Sequence, residues 1–364
     1  HIQMKPVFVV HAKCGSGHMM AARAVADRLA EAGREAVLYD LLDESPAVRK
    51  IYENGYRDTV TRMPALWRLM YDMSQWPPVL RLLDRVHMGV FRRFVRRLID
   101  ERPGVVVSTH FFVSQIVAHL KRRGLLDTRL FTVVTDFDVH PLWVHQGTDR
   151  YIVAHGFTAG RLTHTYGVDD SIVKVWGIPL RREFLRTCDL EALAQRYGKP
   201  QGLPAFLVFS SDFGLGPIRA VVERFAGRCG LIVVTGDNPP LKAYLDTVAN
   251  AKYLYHRERI PEIWEPMALA DAVVLKAGGL SVSECAYLKK PMIFMHAMYG
   301  QETRNAELVT DEGAGAWPKT TEELLATMDT LLSDPVRLRK MRESFESFPH
   351  EDSAGKIAEL VGEI

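Results

Sequence analysis

His18 closes the tract Gly15-Ser16-Gly17-His18, and Asp136, Asp138 and His140 fall within Thr135-Asp136-Phe137-Asp138-Val139-His140-Pro141-Leu142-Trp143. Both tracts carry side chains suited to moving a proton. A glycine-rich turn that ends a strand and opens a helix presents backbone N–H groups and the positive end of the helix dipole to an anion or oxyanion. Gly15 and Gly17 let a ligand approach the backbone. His18, on the first helical turn, is expected to stay neutral and able to accept a proton, because a helix N-terminus disfavours the imidazolium. The turn is not a Walker loop, which ends in Gly-Lys-Ser/Thr, and Met20 stands where a dinucleotide fingerprint needs Gly. Asp136 competes with His18 for the role of base. The Asp136/Asp138 spacing also suits a divalent cation, and the Asp and His residues suit capping of the next segment equally well.

Three later tracts are built to admit phosphate and sugar. Ser210-Ser211-Asp212-Phe213-Gly214-Leu215-Gly216-Pro217 and Lys276-Ala277-Gly278-Gly279-Leu280-Ser281-Val282-Ser283-Glu284 each follow an apolar run and precede a helical pattern. Their small residues permit close approach to phosphate at a helix N-terminus. Glu284 can accept hydrogen bonds from two ribose hydroxyls or complement the helix dipole. Gln301 and Glu302, after Tyr299-Gly300, can hydrogen-bond a sugar or simply open a solvated helix.

The elements that must position these residues alternate regularly. Apolar runs at Val7 to Val10, Ala36 to Tyr39, Val105 to Val107 and Phe131 to Val134 are separated by helical patterns, and Tyr151 to Ala154 is expected to close the first sheet. A second series runs through Phe206 to Phe209, Leu231 to Val234, Tyr253 to Tyr255, Val273 to Leu275 and Met292 to Phe294. This rhythm predicts two α/β domains with parallel sheets. Trp176-Gly177-Ile178-Pro179-Leu180 reads as the connection between them. The expected domains are residues 4–177 and 178–340, with a C-terminal helix over 341–364 that packs back on the body.

With 364 residues and a formal net charge of +2, the chain carries no global attraction to nucleic acid. Four scattered cysteines favour a reducing compartment, and neither a signal-peptide pattern nor an apolar run of spanning length is present. The region from Thr61 to Arg102 breaks the strand–helix rhythm. It interleaves Met, Leu and aromatic residues, Trp67 and Trp76 among them, with arginines that include Arg92, Arg93, Arg96 and Arg97. That mixture suits an anionic membrane surface, with tryptophans at headgroup level and arginines reaching phosphates. A core helix pair with a solvated basic face has the same composition.

Taken together, GSGH, TDFDVHPLW, WGIPLRREF, FGLGP and KAGGLSVSECAYLKKPMIFMHAMYGQETRNAELVTDEGAG resemble one family along nearly the whole chain. It is that of the inverting glycosyltransferases comprising monogalactosyldiacylglycerol synthases and processive diacylglycerol glucosyltransferases. The resemblance implies a GT-B fold, two Rossmann-like α/β domains facing a central cleft, and transfer of a hexose from a UDP-sugar to a lipid hydroxyl such as that of diacylglycerol or a glycosyl-diacylglycerol. It places His18 and Asp136 as catalytic residues, with Gly15, Gly17, His140 and Trp143 on the acceptor side. Donor binding falls to Ser211, Phe213, Gly214, Ile260, Gly278, Gly279, Ser281, Glu284, Gln301 and Glu302. No metal or other cofactor is implied, and the expected location is peripheral, on the cytoplasmic face of the membrane. SSDFG stands where the family has a run of glycines, so Asp212 would bring negative charge near a diphosphate. A UDP-N-acetylglucosamine 2-epimerase and a non-catalytic nucleotide-sugar sensor are the alternatives.

Overall fold

A computed structural model describes residues 5–209, 216–297 and 299–364. The chain forms two compact units. The first comprises the chain up to Arg182 together with Tyr299–Gln301 and Pro349–Ile364, and the second comprises the remainder from Glu183 to Phe348.

In the first unit the chain runs β1 (Val7–His11), α1 (Ser16–Glu31), β2 (Ala36–Asp40), α2 (Pro46–Arg62), α3 (Pro64–Met73), α4 (Pro77–Val90), α5 (Arg92–Glu101), β3 (Val105–Ser108), α6 (Phe111–Arg122), β4 (Arg129–Val133), β5 (Arg150–Ile152), α7 (Gly156–Gly160) and β6 (Val173–Lys174). The six strands are parallel in the order β2-β1-β3-β4-β5-β6. β6, rather than Tyr151 to Ala154, therefore closes the sheet; two residues are too few to leave a periodic trace in sequence. β1 and β3 are wholly buried, as the continuous runs VFVVH and VVVS require of strands covered on both faces.

In the second unit the elements are α8 (Leu190–Tyr197), β7 (Ala205–Phe209), α9 (Ile218–Phe225), β8 (Gly230–Val234), α10 (Pro239–Thr247), β9 (Leu254–Arg257), α11 (Trp264–Leu269), β10 (Ala272–Lys276), α12 (Gly279–Tyr287), β11 (Met292–His296), α13 (Gln301–Asp311), β12 (Gly315–Ala316), α14 (Thr321–Ser333) and α15 (Pro335–Glu343). The strands are again parallel, ordered β12-β11-β10-β7-β8-β9.

The last helix, α16 (Ser353–Gly362), belongs to the first unit. Ala354, Ile357, Ala358 and Val361 share a core cluster with Ala22, Val25 and Leu29 of α1 and with β1, β3 and β4. Arg28 pairs with Asp352, and Ser353 Oγ donates to the Gly177 carbonyl at 2.7 Å. Gly177 itself has φ 87°, a conformation that favours glycine.

The region expected to meet a membrane has two faces. Phe91, Phe94 and Leu98 are fully buried, and the Glu44 carboxylate accepts from the Arg93 and Phe94 backbone N–H groups at 2.7 and 3.0 Å, capping α5. α3 buries none of its residues, and Leu66, Leu69, Met70 and Met73 are exposed along one side of it. Trp76, Leu82 and Val86 are also exposed, with Trp76 at 63%. Trp67 is only half-buried and donates its Nε1–H to the Tyr299 carbonyl at 3.0 Å.

Trp143 was expected beside an acceptor. It is instead fully buried, packed with Val134, Val139, Tyr151, Val153 and Leu162, so it supports the site only through the core. Replacing it with Ala should cost about 3–5 kcal/mol of stability, read from urea unfolding. A loss under about 1 kcal/mol would show that its surroundings collapse to fill the space.

Candidate active site

In a parallel sheet, ligands sit beyond the carboxyl ends of the strands where the chain order reverses. The first sheet reverses between β1 and β3, because β1 leads outward to β2 while β3 leads the other way. His18 follows β1, and Thr109 and His110 follow β3, so the reversal brings them together. Gly15 caps α1 with φ 108° and no side-chain cap bond, a backbone state that favours glycine.

Among the described residues, hydrogen bonds hold the His18 ring at Nδ1 alone. Its Nδ1 lies 2.8 Å from the Thr109 carbonyl oxygen and 2.9 Å from Thr135 Oγ1, and Thr109 Oγ1 donates to the His18 carbonyl at 2.8 Å. A carbonyl only accepts, so Nδ1 carries the proton and Nε2 keeps its lone pair. Three other histidines of this unit do the opposite. His110, His140 and His155 accept at Nδ1 from the backbone N–H of Phe112, Leu142 and Phe157 respectively, each as the N-cap of the next helical turn. Among these four, His18 alone has the tautomer of a general base.

Burial draws the His18 pKa down to about 4, opposed by the Thr109 hydrogen bond and aided by nearby His11. The neutrality expected from the helix N-terminus is thus owed mainly to desolvation. His110, whose ring meets that of His18 edge-on at 4.7 Å, is pushed well below its ordinary value by the same cause. Asp136 follows Thr135 at the end of β4 and is buried, at the same edge of the sheet.

Asp138 is engaged elsewhere: its Oδ1 accepts from Arg161 Nε at 3.0 Å and from the Val139 N–H at 2.8 Å. His140 has both ring nitrogens in use, with Nε2 3.0 Å from Ser74 Oγ. His140 is the N-cap of the next helical turn, as the capping alternative has it, whereas Asp138 is not a cap. No group of three or more His, Cys, Asp or Glu side chains suited to a metal is found among the described residues.

The second sheet reverses between β7 and β10. Ser211, Phe213 and Gly214, which follow β7 in sequence, lie outside the described residues, as does Asp212. Beyond β10, Gly278 caps α12 without a side-chain bond, and the first turn of that helix holds no acidic residue. The N–H groups of Gly279, Leu280 and Ser281 precede the first intrahelical bond, made by Val282, and are the groups by which a helix N-terminus can meet an anion. Glu284 sits one turn on, 6% exposed.

Glu302 is buried on α13 and pairs with Lys276 Nζ at 2.5 Å, while Asn305 Nδ2 donates to the Ala277 carbonyl at 2.9 Å. Gln301 opens the same helix and Ile260 lies in the loop after β9, both half-buried. Thr109, Thr135, His110, Lys276 and Asn305 were not singled out from sequence. Asn–carbonyl and Thr–His contacts across 28 to 117 residues leave no local signal.

A family model described as monogalactosyldiacylglycerol (MGDG) synthase matches residues 18–180. A processive diacylglycerol beta-glucosyltransferase of Bacillus cereus (strain G9842) is 27% identical over 375 residues, covering 99% of this chain and 94% of the relative. Along nearly its whole length the chain is similar to these glycosyltransferases. The family relative from Bacillus subtilis (strain 168), under the same description, is 25% identical over 372 residues, covering 98% and 94%. Among solved structures, the calicheamicin glycosyltransferase CalG4 is similar with a TM-score of 0.65 at 14% identity, covering 100% of this chain and 98% of its own. Acinetobacter baumannii MurG gives 0.62 at 14%, covering 99% and 100%. The UDP-GlcNAc 2-epimerase of Neisseria meningitidis gives 0.59 at 13%, covering 98% of each. These likenesses establish the GT-B fold, which glycosyltransferases and epimerases share.

Three outcomes follow from this geometry. His18→Ala should lower kcat by about 10²- to 10⁴-fold with UDP affinity nearly intact. A raised acceptor KM with kcat largely kept would move the base role to Asp136. Because the folded imidazole is neutral until its lowered pKa is reached, kcat/KM should hold as pH falls through 6.5 and decline only toward about 4. An acid limb near pH 6.5 would place the working base elsewhere. For the second site, Glu284→Ala should weaken UDP binding by roughly 1.5 to 3 kcal/mol, measured calorimetrically on the folded variant.

Proposed function

We propose that the chain is an inverting hexosyltransferase that moves a hexose from a UDP-sugar to the hydroxyl of diacylglycerol or a glycosyl-diacylglycerol. The observation that carries this reading is the His18 tautomer, with Nδ1–H spent on the Thr109 carbonyl and Nε2 left to take a proton, in a chain matched along 99% of its length by diacylglycerol glucosyltransferases. His18 accepts the proton of the acceptor hydroxyl as the oxygen attacks the anomeric carbon. The bond to UDP breaks on the opposite face, giving inversion. The departing diphosphate is met by the N-terminus of α12, and Glu284 holds the ribose.

Incubation with UDP-glucose, UDP-galactose and UDP-N-acetylglucosamine, each with diacylglycerol vesicles, tests this by mass spectrometry of the products. Hexosyl-diacylglycerol is the expected product. Conversion of UDP-N-acetylglucosamine without an acceptor would favour the epimerase, and binding without turnover the sensor.

The same reading includes peripheral docking on an anionic membrane, on its cytoplasmic face. The exposed side of α3, with Trp76, Leu82 and Val86, supplies apolar surface. Among the described residues no ion pair engages Arg92 or Arg96, whereas Arg97 pairs with Glu101 at 2.6 Å and Arg93 Nη1 donates to the Glu44 carbonyl. No helix among the described residues is long and apolar enough to cross a membrane. Arg92→Gln with Arg96→Gln should weaken cosedimentation with anionic vesicles by about 1 kcal/mol per charge that reaches the surface, and high salt should erase the difference. Equal cosedimentation at low salt would assign these arginines to a merely solvated face.

A further inference from the structure

We propose that Lys276 is a positioning residue for the donor sugar: its ammonium holds the Glu302 carboxylate in place, so that recognition of the hexose depends on Lys276 while binding of the nucleoside diphosphate does not. This rests on the donor reading of the second unit given above.

Three observations support the assignment. The Glu302 side chain is 7% exposed and that of Lys276 28%, with Nζ and Oε1 2.5 Å apart. A carboxylate so far from water is stabilised by a compensating charge, and removing Lys276 takes away the ammonium of this pair. Glu302 and Asn305 lie three residues apart on α13, hence on one face, and they grip successive residues, Lys276 and Ala277, of the turn that leads into α12. The Asn305–Ala277 bond does not involve Lys276, so the phosphate-facing turn keeps this hold on α13 when Lys276 is changed. Finally, the β10–β11 ladder shifts register between Leu275 and Lys276. Such an irregularity re-aims the side chains beside it, and it falls where strand gives way to the site.

The division of labour follows from which groups face which part of the donor. Backbone N–H groups of α12 address phosphate and Glu284 addresses ribose, and neither depends on the Lys276–Glu302 pair. Glu302, an acceptor for sugar hydroxyls, does depend on it. A lysine ammonium is a point charge with three donors, so holding one carboxylate oxygen leaves the remaining geometry to Glu302.

The test compares free UDP with the UDP-hexose that the parent enzyme turns over. Lys276→Gln should lower kcat/KM for the UDP-hexose by at least about tenfold, with UDP affinity by calorimetry kept within about twofold, and Lys276→Arg should recover much of the loss. Equal loss for UDP and UDP-hexose would overturn the proposal by placing Lys276 on the diphosphate itself. Unchanged values for both would reduce the pair to a fold contact.

Should Lys276→Gln fail to fold, the double variant with Glu302→Gln removes both charges of the pair. The double variant should then be no worse in hexose recognition than Glu302→Gln alone, and a further loss would show that Lys276 acts independently of Glu302. Failure of the donor reading would look different, since the parent protein would then neither bind UDP nor turn over any UDP-hexose.

Discussion

Parallel strands all end at one edge of their sheet, and where chain order reverses, two neighbouring connections must leave in opposite directions. The gap between them is lined by strand ends and helix beginnings, whose N–H groups have no partner within the sheet. Each unit has one such reversal, β1/β3 in the first and β7/β10 in the second. The histidine with the tautomer of a base lies at the first, and the helix end without a side-chain cap, with buried Glu284 one turn on, lies at the second. Topology thus selects the location, and local chemistry decides what is done there.

At the first reversal the same residue type is used in two incompatible ways. A histidine that caps a helix offers the Nδ1 lone pair to a backbone N–H and so keeps its proton on Nε2. A histidine that donates from Nδ1 to a carbonyl is reversed. The distinction costs no change of residue, only a change of neighbour, and it separates His18 from His110, His140 and His155 more sharply than burial does. Burial keeps the imidazoles of His18, His110 and His140 neutral, and hydrogen bonding decides which of their nitrogens is basic.

Much of this was legible from sequence, and the remainder was hidden for identifiable reasons. Buried parallel strands announce themselves as apolar runs, which is why β1, β3 and β7 were located within a residue or two. β6 and β12, at two residues each, were not. Gly15-Ser16-Gly17-His18 and the Gly278-Gly279 turn stood out because a strand-to-helix transition with small residues is a local pattern. Whether His18 carries its proton on Nδ1 was not visible, because Thr109 lies 91 residues away. Trp143 shows the reverse error: it sits in a tract rich in candidate residues, yet its bulk is spent in the core. The arginines from 92 to 97 look alike as letters, and only the placement of Glu44 and Glu101 divides engaged side chains from available ones.

The docking of α16 on α1 has a consequence for the order in which the protein can be completed. Residues 349–364 are translated after the whole of the second unit, yet they fill the core of the first, against Ala22, Val25 and Leu29. During synthesis the second unit can therefore close its own core while the first still exposes the apolar side of the helix that carries His18. A shortened carboxyl terminus would injure the unit made earliest, at a distance of more than three hundred residues along the chain, and leave the unit beside it in sequence nearly untouched.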